Sequence, residues 1–426
     1  MQISLLVFSI LAKTLSLGSR LTGRGSGTSI SGYVVERYAR SILSHLRKKY
    51  EKVIYITGTN GKTTTTTTLY QMLRAEGLSV CTNLGGANIF RGIAGAILKD
   101  LDSKGRPKSR VLLMEVEEAT LPHIMQYIPA TDVVLLNVFR DQLDVYGELD
   151  TTIGYFAQAL TFAPTAHVWI NGDDQLLMQS VANFTGKITT YSTKNSDKSI
   201  YERIQSVQKY KSDMIICYEK NILSVKTGQT KIISLVRPEL EAYNVQNIAV
   251  AAIVARDCGA TSVHIQKAIN IANGIFGRGE MITIGTSTIW VYLIKNPAGA
   301  ISVLHQLSTK STSFELVFAI NDAIADGKDV SWLWDVPFET LLSPLMITQY
   351  TVLGTRRLDM LLRLKHAHTT QDLNTQITDI SMQQYIENTA NSSENHQIVV
   401  LATYTAMRQF RALLANKTTL RAIDQV

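Results

Sequence analysis

The chain has 426 residues, 45% of them hydrophobic and 18% charged, and carries a formal net charge of +7. The length predicts two or three domains, because one hydrophobic core rarely grows this large, and the composition excludes disordered and fibrous chains. The basic residues are spread along the chain, which favours an anionic substrate and argues against a nucleic-acid partner. The 3 cysteines are widely separated, so the sequence predicts a reducing, cytoplasmic compartment and no disulfide framework.

The amino-terminal stretch MQISLLVFSILAK contains an apolar run of about ten residues, half of what a membrane-spanning helix needs. It has no basic region before the run and no small-residue cleavage site after it, so neither a transmembrane helix nor a signal peptide is predicted. Arg20 and Arg24 follow the run. Segment 1–40 is therefore expected to be helical and to pack on the protein. The alternative is a peripheral position at the inner face of the cell membrane.

The stretch VIYITGTNGKTTTTTTLY joins an apolar run, Val53–Thr57, to two glycines, a lysine and a row of threonines. This order predicts a strand, a tight loop and a helix start, where backbone amides and the helix dipole bind an anion. The lysine can pair with phosphate oxygens, and the first threonine hydroxyl can bind magnesium. A polar hairpin turn before a threonine-rich strand is the alternative. The predicted phosphate-binding loop consists of Gly58, Thr59, Asn60, Gly61, Lys62, Thr63 and Thr64.

Apolar strands then alternate with helical periods, which predicts an α/β fold with a mostly parallel sheet and crossover helices. In such sheets, ligands bind at the carboxyl ends of the strands. The predicted strands are Val53–Thr57, Leu112–Val116, Val133–Asn137 and His167–Asn171, and the predicted helices lie around Thr64–Glu76 and Thr152–Leu160.

Acidic and amide side chains stand at the tips of these strands. Glu115, in the stretch LLMEVEEATLP, is the predicted magnesium ligand, because a strand-end carboxylate beside a triphosphate site suits that cation. By itself the stretch could equally be a solvated acidic loop. The next two strand tips carry further candidates, which are Asp141, Gln142 and Asp144, then Asn171, Asp173 and Asp174. The last three could instead belong to a helix cap. The stretch NVQN adds the amides of Asn244 and Asn247, which suit the edge of an adenine.

The later chain changes character twice. Residues from about 185 to 233 are polar, which predicts an insertion, and a helical stretch, YNVQNIAVAAIVARDCGA, resumes the fold. The stretch NGIFGRGEM then predicts a hinge before a second α/β region. The predicted domains are therefore 1–40, 41–275 with the insertion, and 276–426.

Four of these motifs, in this order, resemble those of the Mur ligase family: TGTNGKTTT, a strand-end glutamate, N-x-x-x-D-x-x-D and N-x-x-N. Mur ligases use ATP to activate a carboxylate as an acyl phosphate, which an amine attacks. The resemblance implies a central nucleotide-binding domain with a mostly parallel sheet and a smaller α/β carboxyl-terminal domain. It further implies that the loop holds the ATP phosphates with Lys62 catalytic, that Thr63 and Glu115 bind magnesium, and that Asn247 and Arg278 contact the nucleotide.

Further stretches resemble the MurT branch of that family, the synthetase subunits of lipid II isoglutaminyl synthases. They are NLGGANIFRGI, FRDQLDVYGELD, LIKNPAG and NDAIADGKDVSWLWDVPFE. The resemblance implies amidation of the D-glutamate α-carboxylate of the lipid II stem peptide. The ammonia would come from a GatD-like glutaminase partner in a heterodimer. Asp329, with Asp326 in reserve, would complete the partner's Cys–His dyad as the third member of a triad does. A helix cap at Ser331 is the alternative role of Asp329.

Two features depart from the MurT pattern. MurT proteins commonly carry a four-cysteine zinc ribbon in the insertion, whereas this region keeps only Cys217, and a structural zinc site needs four ligands. The sequence therefore predicts no zinc. A separate amino-terminal substrate domain, usual in other Mur ligases, is also expected to be absent. Two other functions stay open: a Mur-type ligase that adds an amino acid or polyglutamate, and a nucleotide-binding scaffold with little turnover.

Overall fold

The computed structural model describes most of the chain in two compact units. One unit holds the chain up to Val138 and Leu149–Ala272, and the other holds Phe139–Glu148 and the chain from Asn273 onward. No helix of the described part is long and apolar enough to cross a membrane. The described residues are 32–33, 35–37, 40–84, 87–139, 149–194, 212–236, 242–271, 278–308, 312–367 and 377–415.

The first unit is built on a nine-stranded sheet with the order β2-β3-β1-β4-β5-β6-β7-β8-β9. In this order, the neighbouring pairs from β2 through β7 are parallel, and the β7–β8 and β8–β9 pairs are antiparallel. The strands are β1 Lys52–Thr57, β2 Val80–Thr82, β3 Val111–Glu115, β4 Asp132–Leu135, β5 His167–Asn171, β6 Lys187–Thr193, β7 Met214–Glu219, β8 Ile222–Thr227 and β9 Thr230–Val236.

Helices cover both faces of this sheet, which explains why its central strands are continuous apolar runs. Along β1, Val53 and Tyr55 point into one core, and Ile54 and Ile56 point into the other. The predicted α/β fold with a mostly parallel sheet is confirmed. The helices are α1 Arg40–Ser44, α2 Lys62–Ala75, α3 Phe90–Asp100, α4 Leu121–Met125, α5 Leu149–Thr161, α6 Gln175–Gln179, α7 Ala242–Asp257 and α8 Ser262–Ile271, with 3-10 turns at Arg47–Lys49 and Glu118–Thr120.

The described part of the predicted insertion, 185–233, continues the sheet as β6 to β9, and residues 195–211 lie outside the described part. The polar composition there reflects an outer sheet region in which exposed and buried side chains alternate, as on β9. Cys217 is buried on β7.

The second unit contains a six-stranded sheet with the order β10-β11-β15-β12-β13-β14, parallel except for the β10–β11 pair. The strands are β10 Arg278–Ile284, β11 Ser287–Leu293, β12 Phe314–Ala319, β13 Ile347–Leu353, β14 Ile377–Asp379 and β15 Gln397–Ala402. The helices are α9 Pro297–Leu307, α10 Phe338–Leu341, α11 Arg357–Ala367, α12 Met382–Asn391 and α13 Tyr404–Ala415, with a 3-10 turn at Ser331–Trp334. This is the smaller carboxyl-terminal α/β unit that the sequence predicts.

Candidate active site

The loop between β1 and α2 turns on two glycines with positive φ angles, +133° at Gly58 and +86° at Gly61. Side chains other than glycine rarely adopt such angles. Gly61 is the residue that precedes α2, and it offers no side chain to cap the helix. The first amides of a helix have no carbonyl partner within it, so this loop ends on donors that suit an anion.

Asn137, just beyond β4, fixes the position of this loop. Its backbone carbonyl accepts from the Thr59 amide at 3.1 Å. Its side-chain oxygen accepts from the Asn60 amide at 2.8 Å, and its Nδ2 donates to the Asn60 carbonyl at 2.9 Å. The loops after β1 and β4 meet because these strands are neighbours where the strand order reverses, the usual ligand position in doubly wound sheets. Asn137 is the first residue of N-x-x-x-D-x-x-D, but its contacts with the loop were not predicted from the sequence.

Lys62, the first residue of α2, lies folded against its own loop. Its Nζ donates to the Gly58 carbonyl at 2.7 Å and forms an ion pair with Glu118 Oε1 at 3.1 Å. Burial alone would lower the pKa of Lys62, but the nearby carboxylates of Glu118, Glu115 and Glu117 outweigh burial and raise it. Lys62 is therefore charged at neutral pH. Glu118 is the carboxylate in direct contact with Lys62, and the sequence predicts no role for it.

Glu115 ends β3 and is held by two asparagines from the stretch NLGGANIFRGI. Asn88 Nδ2 donates to its Oε1 at 3.2 Å. Asn83 bonds both its backbone amide, at 3.0 Å, and its backbone carbonyl, at 2.9 Å. The carboxylate is half-buried and acts electrostatically on Lys62, so it lies at the same strand ends as the loop. The stretch is one of those that resemble MurT proteins, and no role for its asparagines was predicted from the sequence.

The remaining predicted loop residues line the start of α2. Thr59 and Thr64 are buried, whereas Thr63 is exposed and so accessible to a cation. The side chain of Asn247, on α7, lies against Gly61: a Cβ added to Gly61 would come within 2.3 Å of its Oδ1. Asn247 is therefore at the phosphate loop. Its predicted adenine contact stays a prediction.

The other predicted candidates include a helix cap and residues that the structure does not describe. Asp174 is buried and caps α6 by accepting from the Leu177 amide at 3.0 Å, the alternative that the sequence analysis left open. Burial raises its pKa to about 6, even though it also accepts from the Val138 amide. Asp141, Gln142 and Asp144 lie outside the described residues. Arg278 begins β10 in the second unit, and its side chain is also outside them.

In the second unit, Asp329 forms a tight turn with Ser331. Its Oδ1 accepts from the Ser331 amide and its Oδ2 from the Ser331 hydroxyl, both at 2.8 Å. Asp326 is buried, and it accepts from the Thr405 amide at 2.7 Å and the Ala323 amide at 3.2 Å. Asp329 is thus the more accessible of the two candidate carboxylates.

The side chain of Arg363 anchors the 3-10 turn that follows Asp329. Its guanidinium donates to the carbonyls of Leu333 and Val336 at 3.1 Å and 2.7 Å. It also forms a bidentate pair with Glu339 at 2.7 Å and 3.0 Å. These contacts hold the backbone downstream of Asp329 in one conformation.

Among the described residues, one group has the geometry of a metal site, and it lies at the opposite ends of the strands. It consists of Asp132, His167 and Asp257. The Nζ of Lys52 lies 3.1 Å from a carboxylate oxygen of each aspartate. Lys52 therefore already supplies the positive charge between the aspartates, and this group adds nothing to the candidate active site.

The arrangement at the carboxyl ends of β1, β3 and β4 suits a nucleotide phosphate and a divalent cation. Gly58 and Gly61 have the positive φ angles that turn the chain into the amides at the start of α2, Lys62 supplies a cation, and Glu115 with the exposed Thr63 supplies oxygen ligands of the kind magnesium prefers. The residues present therefore fit both groups.

The steric demand at Gly61 gives a test of this loop. Gly61→Ala is expected to unfold more readily, because its Cβ would overlap the Asn247 carboxamide in addition to the strain at φ +86°. Gly77→Ala is a matched control, since Gly77 has φ +88° but nothing within 4 Å of an added Cβ. We expect a loss of about 1–2 kcal/mol for the control and about 1–3 kcal/mol more at Gly61, measured by urea denaturation. Equal losses would show that Asn247 does not pack on the loop.

Two known domain families match this chain. The Mur ligase middle domain matches residues 56–255, and the MurT ligase C-terminal domain matches residues 293–407. The lipid II isoglutaminyl synthase (glutamine-hydrolyzing) subunit MurT of Streptococcus pneumoniae is 30% identical, over 94% of this chain and 95% of that protein. The subunit of the same name from Staphylococcus aureus is 28% identical, over 84% of this chain and 86% of that protein.

Solved structures share the fold at low identity. MurF from Acinetobacter baumannii superimposes with a TM-score of 0.66 at 16% identity, over 91% of this chain and 80% of that one. MurF ligase from Thermotoga maritima in complex with ADP gives 0.63 at 16% identity, over 89% and 85%. The similarity to the Streptococcus pneumoniae MurT subunit extends over nearly the full length of both chains. The chain therefore belongs to the MurT family of Mur ligases.

Proposed function

We propose that this protein is the ATP-dependent synthetase subunit of a lipid II isoglutaminyl synthase. It would convert the D-glutamate α-carboxylate of the stem peptide into the amide of D-isoglutamine. The observation that carries the proposal is the loop of Gly58–Gly61, with Lys62 beside Glu115 and Glu118, in a chain that aligns with MurT over 94% of its length.

The chemistry requires activation, because the negative charge of a carboxylate repels nucleophiles. Phosphorylation by ATP would give an acyl phosphate, which ammonia can attack with loss of phosphate. Lys62 and the amides at the start of α2 would bind the phosphates and offset the charge that develops on the transferred group. Thr63 and Glu115 would hold magnesium, which supplies further charge compensation when bound. Asn88 would keep the Glu115 carboxylate oriented.

The ammonia would come from a partner glutaminase, since the cysteines of this chain are poor nucleophiles. Cys81 and Cys217 are buried. Burial raises the pKa of the Cys81 thiol far above its ordinary value and that of Cys258 to about 12. Neither Cys81 nor Cys258 is poised as a thiolate at neutral pH, and burial keeps Cys217 from a substrate. A GatD-like partner with its own Cys–His dyad would then use Asp329 as the group that orients the histidine.

The decisive experiment compares nitrogen sources. The purified chain, with ATP, magnesium and lipid II, is expected to amidate lipid II when supplied with ammonium chloride and not when supplied with glutamine alone. Adding the glutaminase partner should make glutamine effective. Mass spectrometry of the lipid and release of inorganic phosphate measure the two outcomes. Ligation of an amino acid would support the amino-acid-adding alternative, and nucleotide binding without turnover would support the scaffold.

Two expectations accompany this proposal. The absence of a structural zinc ion stays a prediction, which elemental analysis of the purified protein can test. A peripheral position at the cytoplasmic face of the membrane also stays a prediction, and it would bring the protein to its lipid-linked substrate.

A further inference from the structure

The ion pair between Lys62 and Glu118 is the starting point. Lys62 Nζ and Glu118 Oε1 are 3.1 Å apart, and the two side chains are only 11% and 8% exposed. The same Nζ donates to the Gly58 carbonyl at 2.7 Å. It also lies 3.4 Å from the Thr59 carbonyl, so a phosphate that pairs with this ammonium has to displace one of three protein oxygens. Of these partners Glu118 is the only anion, and it is the one that a phosphate would replace charge for charge.

Lys62 is surrounded by carboxylates. Among the described residues, Glu118, Glu115 and Glu117 all act electrostatically on Lys62, so the lysine of the loop faces three acidic side chains. A nucleotide adds the charge of its own phosphates. Without a divalent cation, the phosphates would meet net repulsion from these carboxylates, and the repulsion is strong because Glu118 and Lys62 are largely removed from water.

We propose that Glu118 makes nucleotide binding at this loop dependent on a divalent cation. While Glu118 pairs with Lys62, it withholds the ammonium from a metal-free nucleotide. When a phosphate displaces it, the released carboxylate adds its charge to those of Glu115 and Glu117, and a divalent cation bound with the phosphates offsets the total. Glu118 is thus a positioning residue that acts through Lys62. The inference rests on the proposed function, because it takes the ligand to be an adenine nucleotide.

The test measures nucleotide affinity rather than activity. A fluorescent ADP analogue is titrated into the full-length wild type and into Glu118→Gln, in excess EDTA or in excess magnesium chloride, with unlabelled ADP and ATP as competitors. Glutamine keeps the shape of glutamate and an oxygen that can accept from Lys62, so the fold should be retained. Glu117→Gln is the matched control, because Glu117 acts on Lys62 through charge and not through a direct ion pair.

In EDTA, Glu118→Gln is expected to bind the nucleotide roughly tenfold or more tightly than wild type, because one contact charge has been removed. In magnesium chloride the two proteins should differ much less. The ratio of the dissociation constant in EDTA to that in magnesium chloride is therefore expected to be smaller for Glu118→Gln than for wild type. Glu117→Gln should show a smaller fall. A purely structural role for Glu118 predicts weaker binding in both buffers.

Three outcomes are distinguishable. An unchanged ratio in Glu118→Gln, or weaker binding in both buffers, overturns the role of Glu118 and leaves the proposed function intact. Failure of wild type to bind either nucleotide in either buffer contradicts the proposed function itself. If Glu118→Gln does not fold, Glu118→Asp keeps the charge and shortens the reach to Lys62. It is then expected to lower the ratio partially, and an unchanged ratio would overturn the proposal.

Discussion

Lys62→Ala is expected to lower amidation of lipid II at least a hundredfold, with ammonium chloride as the nitrogen source. Lys62 is the cation of the phosphate loop, and its contacts with the transferred phosphoryl group are worth roughly several kcal/mol in the transition state. Ammonium chloride removes any dependence on the partner, so the loss can be assigned to the synthetase reaction. Release of inorganic phosphate from ATP should fall in parallel. Retention of more than about a tenth of wild-type activity would contradict the assignment.

The structure supplies a control that separates catalysis from stability. Lys62→Ala also leaves Glu118 buried without its ion-pair partner, and breaking such pairs commonly costs about 3–5 kcal/mol when both groups are buried. The double variant Lys62→Ala/Glu118→Gln removes both charges and should recover most of the stability in urea denaturation. It should remain as inactive as the single variant. Recovery of activity in the double variant would show that the single variant was merely unfolded.

Asp329→Asn is expected to separate the two half-reactions. If Asp329 orients a histidine of the partner, the amide cannot stabilise the imidazolium that forms when the partner's cysteine gives up its proton, so glutamine hydrolysis should fall by roughly four orders of magnitude at most. Amidation with ammonium chloride should persist, and nucleotide affinity should be unchanged. Both reactions are measured on the assembled complex.

The turn that Asp329 forms with Ser331 is expected to be retained in Asp329→Asn. The asparagine oxygen can still accept from the Ser331 amide, and its nitrogen can donate to the Ser331 hydroxyl, so the local turn of Asp329 is retained. A capping role alone therefore predicts that Asp329→Asn is nearly silent. Ser331→Ala is the matched control, because it loses the hydroxyl contact and keeps the carboxylate. Unimpaired glutaminase activity in Asp329→Asn would rule out the cross-subunit role, and loss of both activities would indicate a disrupted interface.

Local patterns predicted the fold and the loop well. The strand His167–Asn171 has the predicted bounds, and β1 differs from its prediction by one residue. Gly58, Gly61 and Lys62 were identifiable because the strand, the turn and the helix start are contiguous in sequence. The sheet was predictable for the same reason, since each buried strand is a short apolar run.

Long-range partners could not be predicted in this way. Asn137 reaches Asn60 across 77 residues of sequence, and Glu118 reaches Lys62 across 56. Glu115 ends one strand and two further glutamates follow it, and nothing in their spacing says which of the three contacts the lysine. That choice depends on the 3-10 turn at Glu118–Thr120, which places Glu118 inward. The site was therefore predictable as a region, while its internal contacts required the tertiary structure.

The position of β1 between β3 and β4 has a consequence for synthesis on the ribosome. Val53 pairs with Leu112, and Tyr55 pairs with Val133, so β1 cannot acquire both neighbours until the chain has been made at least as far as β4. Contacts this distant in sequence form slowly, and exposed apolar strands promote aggregation until they form. We therefore expect the nascent segment KVIYIT to be a binding site for chaperones that act during translation, and nascent chains that end before β4 to remain bound to them.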